Sequence, residues 1–223
     1  MCGRFTLTAD PADLQEAFSW VTFPEQQFLP RYNIAPTQPI AVITNSGENK
    51  LDFFTWGLVP FWAKDPSIGS RMINARSETL AEKPSFKNAF KRRRCLILAD
   101  GFYEWQKVPG EKTKIPTYIH LKDGKPFAFA GLWEDWHSSN GSQILSATII
   151  TTSPNSLVSP IHNRMPVILP ETSYQHWLTP GEADTQNLGA LLQPYDSDLM
   201  DAYPVSRMIN NPRTESPDCI KPI

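Results

Sequence analysis

The residue that most directly offers covalent chemistry is Cys2, which follows Met1 in the opening run Met1-Cys2-Gly3-Arg4. A small residue at position 2 ordinarily allows Met1 to be excised, so we expect a terminal cysteine whose α-amine is free beside its thiol. This 1,2-aminothiol can attack an aldehyde twice and close a five-membered thiazolidine ring. A terminal cysteine can also cleave amides, but that reaction needs an activated thiolate and an oxyanion hole. A small buried cysteine with no chemical role is the third interpretation.

The reactivity of the amine favours an aldehyde as the target. An ordinary α-amine has a pKa of about 7.7–8.0, so about a tenth of it is already neutral at pH 7. An aldehyde needs only this neutral amine. Arg4 could in addition hold an anion beside the terminus.

Asn74 and Arg76 form a second candidate group, in the run Ile73-Asn74-Ala75-Arg76-Ser77-Glu78. In an extended chain two residues this far apart project from the same face. An amide next to a guanidinium suits binding of an amine or a sugar oxygen beside a phosphate. A polar edge strand that ends at a helix start is the alternative.

Glu104 and His162 are candidates for proton transfer. Glu104 lies in the aromatic run Ala99-Asp100-Gly101-Phe102-Tyr103-Glu104-Trp105, where burial would raise the pKa of its carboxyl group towards neutrality. An ion pair with one of the arginines is the alternative for this carboxylate. His162 and Arg164 share a loop that Pro160 and Pro166 bracket, and histidine is the natural acid and base near pH 7. The other three histidines are predicted to be structural, and no spacing indicates a metal site.

Positive and aromatic residues could serve nucleic-acid binding. Lys91–Arg94 is a run of four cations, which is most often a solvated face. The segment from Trp56 to Lys64 combines tryptophans and a phenylalanine with a lysine, and such aromatic surfaces stack on the bases of single strands.

The composition indicates one globular domain, residues 1–223, in which these groups must be positioned. The chain has 223 residues, 40% hydrophobic content, 20% charged content and a formal charge of −2, so no global excess of positive charge indicates nucleic acid. Cys2, Cys95 and Cys219 show no CxxC spacing, which argues against disulfides. No membrane-spanning run or signal peptide is found, and a cytoplasmic location is expected.

The order of turn and strand signals predicts the fold class α+β, with a mostly antiparallel, curved or barrel-like β-sheet core and several short flanking helices. Asp10 and Pro11 indicate the start of a first helix. Asn45-Ser46-Gly47 predicts a hairpin between the strands 40–44 and 51–56. Asp123-Gly124 predicts a second hairpin, between 117–121 and 127–132. The 21 prolines favour many short elements.

Taken together, the motifs resemble one family, the SOS response-associated peptidase (SRAP) domain proteins. The matching runs extend from residue 1 almost to the C-terminus, and they are Met-Cys-Gly-Arg-Phe at 1–5, Arg-Tyr-Asn-Ile-Ala-Pro at 31–36, Trp-Gly-Leu-Val-Pro at 56–60, Ile-Asn-Ala-Arg-Ser-Glu-Thr at 73–79, Ala-Asp-Gly-Phe-Tyr-Glu-Trp at 99–105 and Ile-His-Asn-Arg-Met-Pro at 161–166.

The resemblance implies a sensor of abasic sites in single-stranded DNA that becomes covalently linked to the sugar aldehyde. It implies that Cys2 forms the thiazolidine, Asn74 positions the amine, Glu104 assists ring opening and His162 acts as acid and base. It further implies the DNA contacts Arg4, Arg76, Arg164 and, by stacking, Trp62. Where the family can carry two adjacent tryptophans, this chain has Phe61-Trp62.

The resemblance also sets the remaining expectations. The protein is expected to be a monomer without cofactor or metal, to act in DNA repair during the SOS response and to associate with the nucleoid when it is bound to DNA. Its chemistry is expected to be lyase-like, through a Schiff base, with a possible autopeptidase activity of the hydrolase type. Two alternatives stay open. An N-terminal-cysteine amidohydrolase of the glutaminase type also begins Met-Cys-Gly, but Arg4 stands where that domain usually has an apolar residue. A non-catalytic single-stranded DNA-binding module is the second alternative, and it would need none of Cys2, Asn74, Glu104 and His162.

Overall fold

Short strands make up most of the regular structure, as the many prolines predict. The computed structural model describes residues 2–24, 29–110 and 113–223. The strands in these ranges are β1 (Phe5–Leu7), β2 (Arg31–Ile34), β3 (Pro39–Thr44), β4 (Leu51–Trp56), β5 (Asn74–Arg76), β6 (Arg94–Ala99), β7 (Gly101–Gln106), β8 (Ile115–Leu121), β9 (Phe127–His137), β10 (Gln143–Thr152), β11 (Met165–Pro166), β12 (Ile168–Leu169) and β13 (Met200–Pro204). The α-helices are α1 (Pro11–Ala17), α2 (Lys87–Arg92), α3 (Tyr174–Trp177) and α4 (Thr185–Gly189).

A ring of hydrogen-bonded strands forms the central barrel. β3 pairs with β4 and with β6, β6 pairs with β9, and β9 pairs with β10, all antiparallel. A short parallel pairing of β10 with β4 closes the ring. β6 is buried along its whole length, which explains why it reads as a continuous apolar run. The α+β class with a barrel-like, mostly antiparallel core is therefore confirmed.

A second sheet carries the N-terminal strand onto this barrel. Its order is β13, β8, β7, β1, β2, and every pairing is antiparallel. Phe5 in β1 is fully buried, and its ring lies edge-on to Trp56 at 5.1 Å and to Phe129 at 5.7 Å between centroids. Aromatic pairs in this geometry contribute about 0.5–1.5 kcal/mol beyond their burial. Phe5 thereby anchors β1 to the barrel, and Cys2 lies three residues before Phe5 in the chain.

Local signals gave two correct predictions and one wrong one. α1 begins as expected, because the Asp10 side chain accepts a hydrogen bond from the Ala12 N–H at 2.8 Å. The hairpin of β3 and β4 is also confirmed. The hairpin at Asp123-Gly124 is wrong, because β8 pairs with β7 and β13, whereas β9 pairs with β6, β10 and β12. The turn residues reverse the chain correctly, but here the reversal crosses from one sheet to the other.

Candidate active site

Cys2 is fully buried between the two sheets. Its backbone continues the line of β1, and the Arg4 carbonyl accepts a hydrogen bond from the Tyr103 N–H of β7 at 3.0 Å. The Cys2 thiol lies 3.7 Å from the same Arg4 carbonyl oxygen. Burial is the main reason why the pKa of this thiol is raised, and the nearby Glu104 carboxylate raises it further. The resting side chain is therefore a neutral thiol and not a thiolate.

Asn74 holds the backbone of Cys2 from the opposite sheet. Asn74 Nδ2 donates a hydrogen bond to the Cys2 carbonyl oxygen at 2.8 Å. Asn74 Oδ1 is buried, and no donor within the described ranges reaches it. Since both atoms belong to one planar amide, this unsatisfied acceptor lies beside the Cys2 backbone. An unpaired buried acceptor costs about 1–3 kcal/mol, which favours a donor that completes it.

Glu104 and His162 face each other beside Cys2. His162 Nε2 lies 4.0 Å from Glu104 Oε2. His162 Nδ1 lies 3.1 Å from the Arg164 backbone nitrogen and 3.2 Å from the Arg164 carbonyl oxygen. In the tautomer that donates to this carbonyl group, Nε2 is an acceptor that faces Glu104. The loop that the two prolines bracket thus presents His162 as the sequence suggested. The contact is longer than a hydrogen bond and leaves space for rearrangement when a substrate binds.

Burial reverses the usual order of the two pKa values in this pair. It raises the pKa of Glu104 to about 7 and lowers the pKa of His162. The charge of Lys114 lowers the pKa of both groups, so this lysine lies close enough to act on the site. A carboxyl group with a pKa near 7 is present in both protonation states at neutral pH, as a residue that exchanges protons requires.

Arg76 and Arg164 are both placed next to Thr151 of β10. β5 runs parallel to β10 with Arg76 opposite Thr151, and Arg164 Nη2 donates to the Thr151 carbonyl oxygen at 2.6 Å. Arg164 also binds both carboxylate oxygens of Glu78, at 2.5 and 2.9 Å. Arg76 is exposed, and Asn74 lies two residues before it in the same strand. The predicted strand with Asn74 and Arg76 on one face is confirmed.

Arg4 is tied into the protein to a greater extent than the sequence suggested. Its Nη1 donates to Asn33 Oδ1 at 2.7 Å and to the Ile209 carbonyl oxygen at 2.6 Å. The buried Asn33 in turn donates to the carbonyl oxygens of Ile209, Asn211 and Thr214. These bonds fasten the C-terminal segment against the strand that leads to Cys2. Arg4 as a DNA contact stays a prediction.

The aromatic loop after β4 presents two exposed rings. Phe61 is 53% exposed and Trp62 is 49% exposed, an arrangement that leaves ring surface free to stack. Gly57 turns the chain into this loop with a φ of 133°, and a Cβ atom at this position would lie 2.5 Å from the Gly69 carbonyl oxygen. Arg93 lies over the Phe61 ring at 6.0 Å from its centroid.

The Lys91–Arg94 run is not a free basic patch. Lys91 and Arg92 both pair with Glu182, and Arg93 pairs with Glu134. Arg94 is fully buried, and it donates to the backbone carbonyl oxygens of Phe90, Lys91, Trp177 and Thr179. The run therefore fastens α2 and α3 to the barrel.

Three contributors to the site were missed in the sequence. Glu78 belongs to the family motif at residues 73–79, but nothing in that motif indicates that its carboxylate binds Arg164. Asn33 also stands in such a run, although its polar side chain gave no indication of its burial. Lys114 belongs to no motif, and only the fold brings it near Glu104. These roles depend on contacts between residues that are distant in the chain.

Comparisons with known proteins identify the family of this chain. The model of the SOS response associated peptidase (SRAP) family matches residues 1–212. The chain belongs to this family. The SRAP chain is 50% identical over 223 residues to the abasic site processing protein YoqW of Bacillus subtilis, with 99% of each chain covered. It is 31% identical to the abasic site processing protein HMCES of Xenopus tropicalis, over 100% of this chain and 78% of that one.

A solved structure supports the fold of this SRAP protein. A protein from Bacteroides thetaiotaomicron, with 27% identity, superposes with a TM-score of 0.85 over 100% of both chains. None of the helices in the described ranges combines the length and hydrophobicity that crossing a bilayer needs. Within the same ranges, no cluster of three or more histidine, cysteine or acidic residues is arranged to hold a metal ion.

Proposed function

We propose that this protein recognises abasic sites in single-stranded DNA and links itself to them through Cys2 as a thiazolidine, once Met1 is removed. The main support for this proposal is that Cys2, the Asn74 amide and the Glu104–His162 pair lie close together in one buried site. The named relatives that process abasic sites are similar to this chain over almost its whole length.

The first step joins the Cys2 amine to the sugar aldehyde. The neutral amine adds to C1 of the ring-opened abasic site, and the carbinolamine loses water to form an imine. The Asn74 Oδ1 acceptor, which lies beside the Cys2 backbone, would hold the amine through one of its N–H groups. Protonated Glu104 would donate a proton to the ring oxygen as the sugar opens and take one back from the anomeric hydroxyl group. It would donate a proton again to the carbinolamine hydroxyl group, which leaves as water, while the nitrogen gives up its own proton.

The second step uses the thiol. Cys2 Sγ forms a bond to the imine carbon, and the thiol proton ends on the nitrogen, so the ring closes without any oxidant or reductant. His162 would carry this proton, since its Nε2 faces the site and its lowered pKa keeps the imidazole neutral. One water is released over the two steps. The same groups can run the steps in reverse.

The raised pKa of the thiol speaks against an amidohydrolase. An N-terminal-cysteine amidase attacks with a thiolate, which positive neighbours stabilise. Here burial and the Glu104 carboxylate both disfavour the thiolate. In the proposed reaction the thiol instead attacks an imine, which the amine and the aldehyde have already formed. A neutral thiol can make this attack when a general base nearby takes its proton.

DNA binding would rest on the rim of the site. The exposed Arg76 would contact a phosphate, Arg164 would add positive charge next to it if a phosphate displaced Glu78, and Trp62 would stack on a base. Such a protein would act as a monomer and would be nucleoid-associated while it is bound. The peptidase activity in the family name would not be needed to expose Cys2, because ordinary Met1 removal suffices.

Denaturing gel electrophoresis tests the proposal directly. The purified protein is mixed with a single-stranded oligonucleotide that carries one abasic site, and we expect a shifted band that survives denaturation. Cys2→Ala should abolish this band, whereas Cys219→Ala, a change at another buried cysteine, should leave it intact. A band unchanged in Cys2→Ala would refute the crosslink, and Cys2-dependent turnover of glutamine would support the amidase instead.

A further inference from the structure

A large cavity lies at the far end of the second sheet from Cys2. It has a volume of about 710 Å³, within the range of small-molecule sites, and none of Cys2, Asn74, Glu104 and His162 lines it. Asp100 forms part of its wall, and Glu104 lies four residues further along the chain. At about 3.3 Å per residue, this separation is roughly 13 Å. The cavity is therefore distinct from the proposed crosslinking site.

Aromatic rings form two walls of this cavity. On one side Tyr118, His120 and Tyr203 contact each other, with ring centroids 5.4 to 5.7 Å apart. On the other side Phe18 and Tyr174 stack at 5.6 Å with an interplanar angle of 12°. Aromatic faces carry partial negative charge and attract organic cations, above all the planar guanidinium group.

Carboxylates surround the rim of the cavity. Asp13, Glu16, Asp123 and Glu171 all line it and are exposed. No lysine, arginine or histidine of the described ranges forms an ion pair with any of the four. Lys125 supplies the one positive side chain among the lining residues. The cavity thus combines a strongly negative rim with aromatic walls.

The deeper wall also holds one buried acceptor, His120 Nε2, that no donor of the described residues reaches. His120 Nδ1 lies 2.7 Å from the Leu121 carbonyl oxygen, so the neutral ring donates there and leaves Nε2 as a bare acceptor. Asp100 beneath it accepts hydrogen bonds from the hydroxyl groups of Thr6 and Thr8. A ligand with N–H donors would complete His120.

We propose that this cavity binds a guanidinium group, either of a free alkylguanidine or of an arginine side chain in a basic peptide. The planar cation would lie against Tyr118 and Tyr203, donate one N–H to His120 Nε2 and balance the carboxylates Asp123 and Glu171. Its role is separate from crosslinking, because the two sites share no residue.

Isothermal titration calorimetry tests the site with three probes at low salt. Butylguanidine supplies a free guanidinium, the blocked peptide acetyl-Gly-Arg-Gly-amide supplies an arginine side chain, and butylurea is a neutral planar analogue. We expect binding of at least one cation and none of butylurea. Binding of butylguanidine alone indicates a small-molecule ligand, and tighter binding of the peptide indicates a basic protein segment.

Two variants decide whether the cation occupies this cavity. Removing an exposed charge partner weakens binding by about threefold, so the double variant Asp123→Asn/Glu171→Gln should weaken it by about tenfold. Glu82→Gln, at an exposed carboxylate outside the cavity, should leave the affinity unchanged. Absence of binding by both cations, equal binding of butylurea, or full affinity in the double variant would each overturn the proposal. DNA crosslinking should be unaltered in all three proteins, so a failure of either proposal is recognised separately.

Discussion

The pH dependence of crosslinking follows from the environment of Glu104. Its pKa of about 7 leaves about half of the carboxyl groups protonated at pH 7, against about 0.3% for an ordinary glutamate. Burial therefore increases the population of this acid by about 150-fold. Since the Cys2 amine must be neutral and an ordinary α-amine has a pKa near 8, the rate should peak at about pH 7.5 and fall on both sides.

Glu104→Gln removes the acid while it keeps the shape of the side chain. The crosslinking rate at pH 7 should drop by about 100-fold, the lower range for loss of a general acid, and the fall above pH 7.5 should disappear. Single-turnover rates from pH 5.5 to 9, read on denaturing gels, measure both effects. Glu134→Gln is a control at another buried glutamate and should keep the bell-shaped profile. A bell-shaped profile that persists in Glu104→Gln would refute the role of this carboxyl group.

Three further predictions concern stability and DNA binding. Between pH 4.5 and about pH 7, Glu104 holds a proton in the folded protein that it has lost in the unfolded chain, so the stability of the wild type falls as the pH rises through this window. Calorimetry should therefore give Glu104→Gln a higher Tm than the wild type at pH 8 but not at pH 4. Arg94→Ala leaves buried carbonyl groups without donors and should lower the free energy of unfolding in urea by about 3 kcal/mol. DNA binding is measured by fluorescence titration with intact single strands. Arg76→Ala should reduce the slope of the log binding constant against log salt concentration by about 0.7, and Trp62→Ala should weaken binding by about 1–3 kcal/mol. Lys91→Ala only loses a contact to Glu182 and should change neither quantity.

Residue chemistry and local turn signals were sufficient for much of the site. Asn74 was expected on an extended segment, and burial was expected to raise the pKa of Glu104 towards neutrality; both are found. Each of these predictions rests on neighbours within a few residues. The same holds for the helix cap at Asp10.

Long-range partners could not be predicted in the same way. The pairing of β8 with β13 instead of β9 depends on how two sheets share the core, and a turn sequence carries no information on that. Likewise, the charge of Arg94 suggests solvent, but four carbonyl groups from α2 and the end of α3 converge on it only in the folded chain. The clamp of Glu78 on Arg164 has the same origin.

In the proposed crosslink the amine and the thiol of Cys2 act together. Mass spectrometry of the crosslinked N-terminal peptide, prepared without borohydride and treated with iodoacetamide, distinguishes a thiazolidine from an imine. We expect a peptide that lacks Met1, carries the sugar remnant with loss of one water, and has no alkylated thiol. An adduct that appears only after borohydride reduction, or one whose Cys2 thiol is alkylated, would show an imine alone and would rule out the thiazolidine.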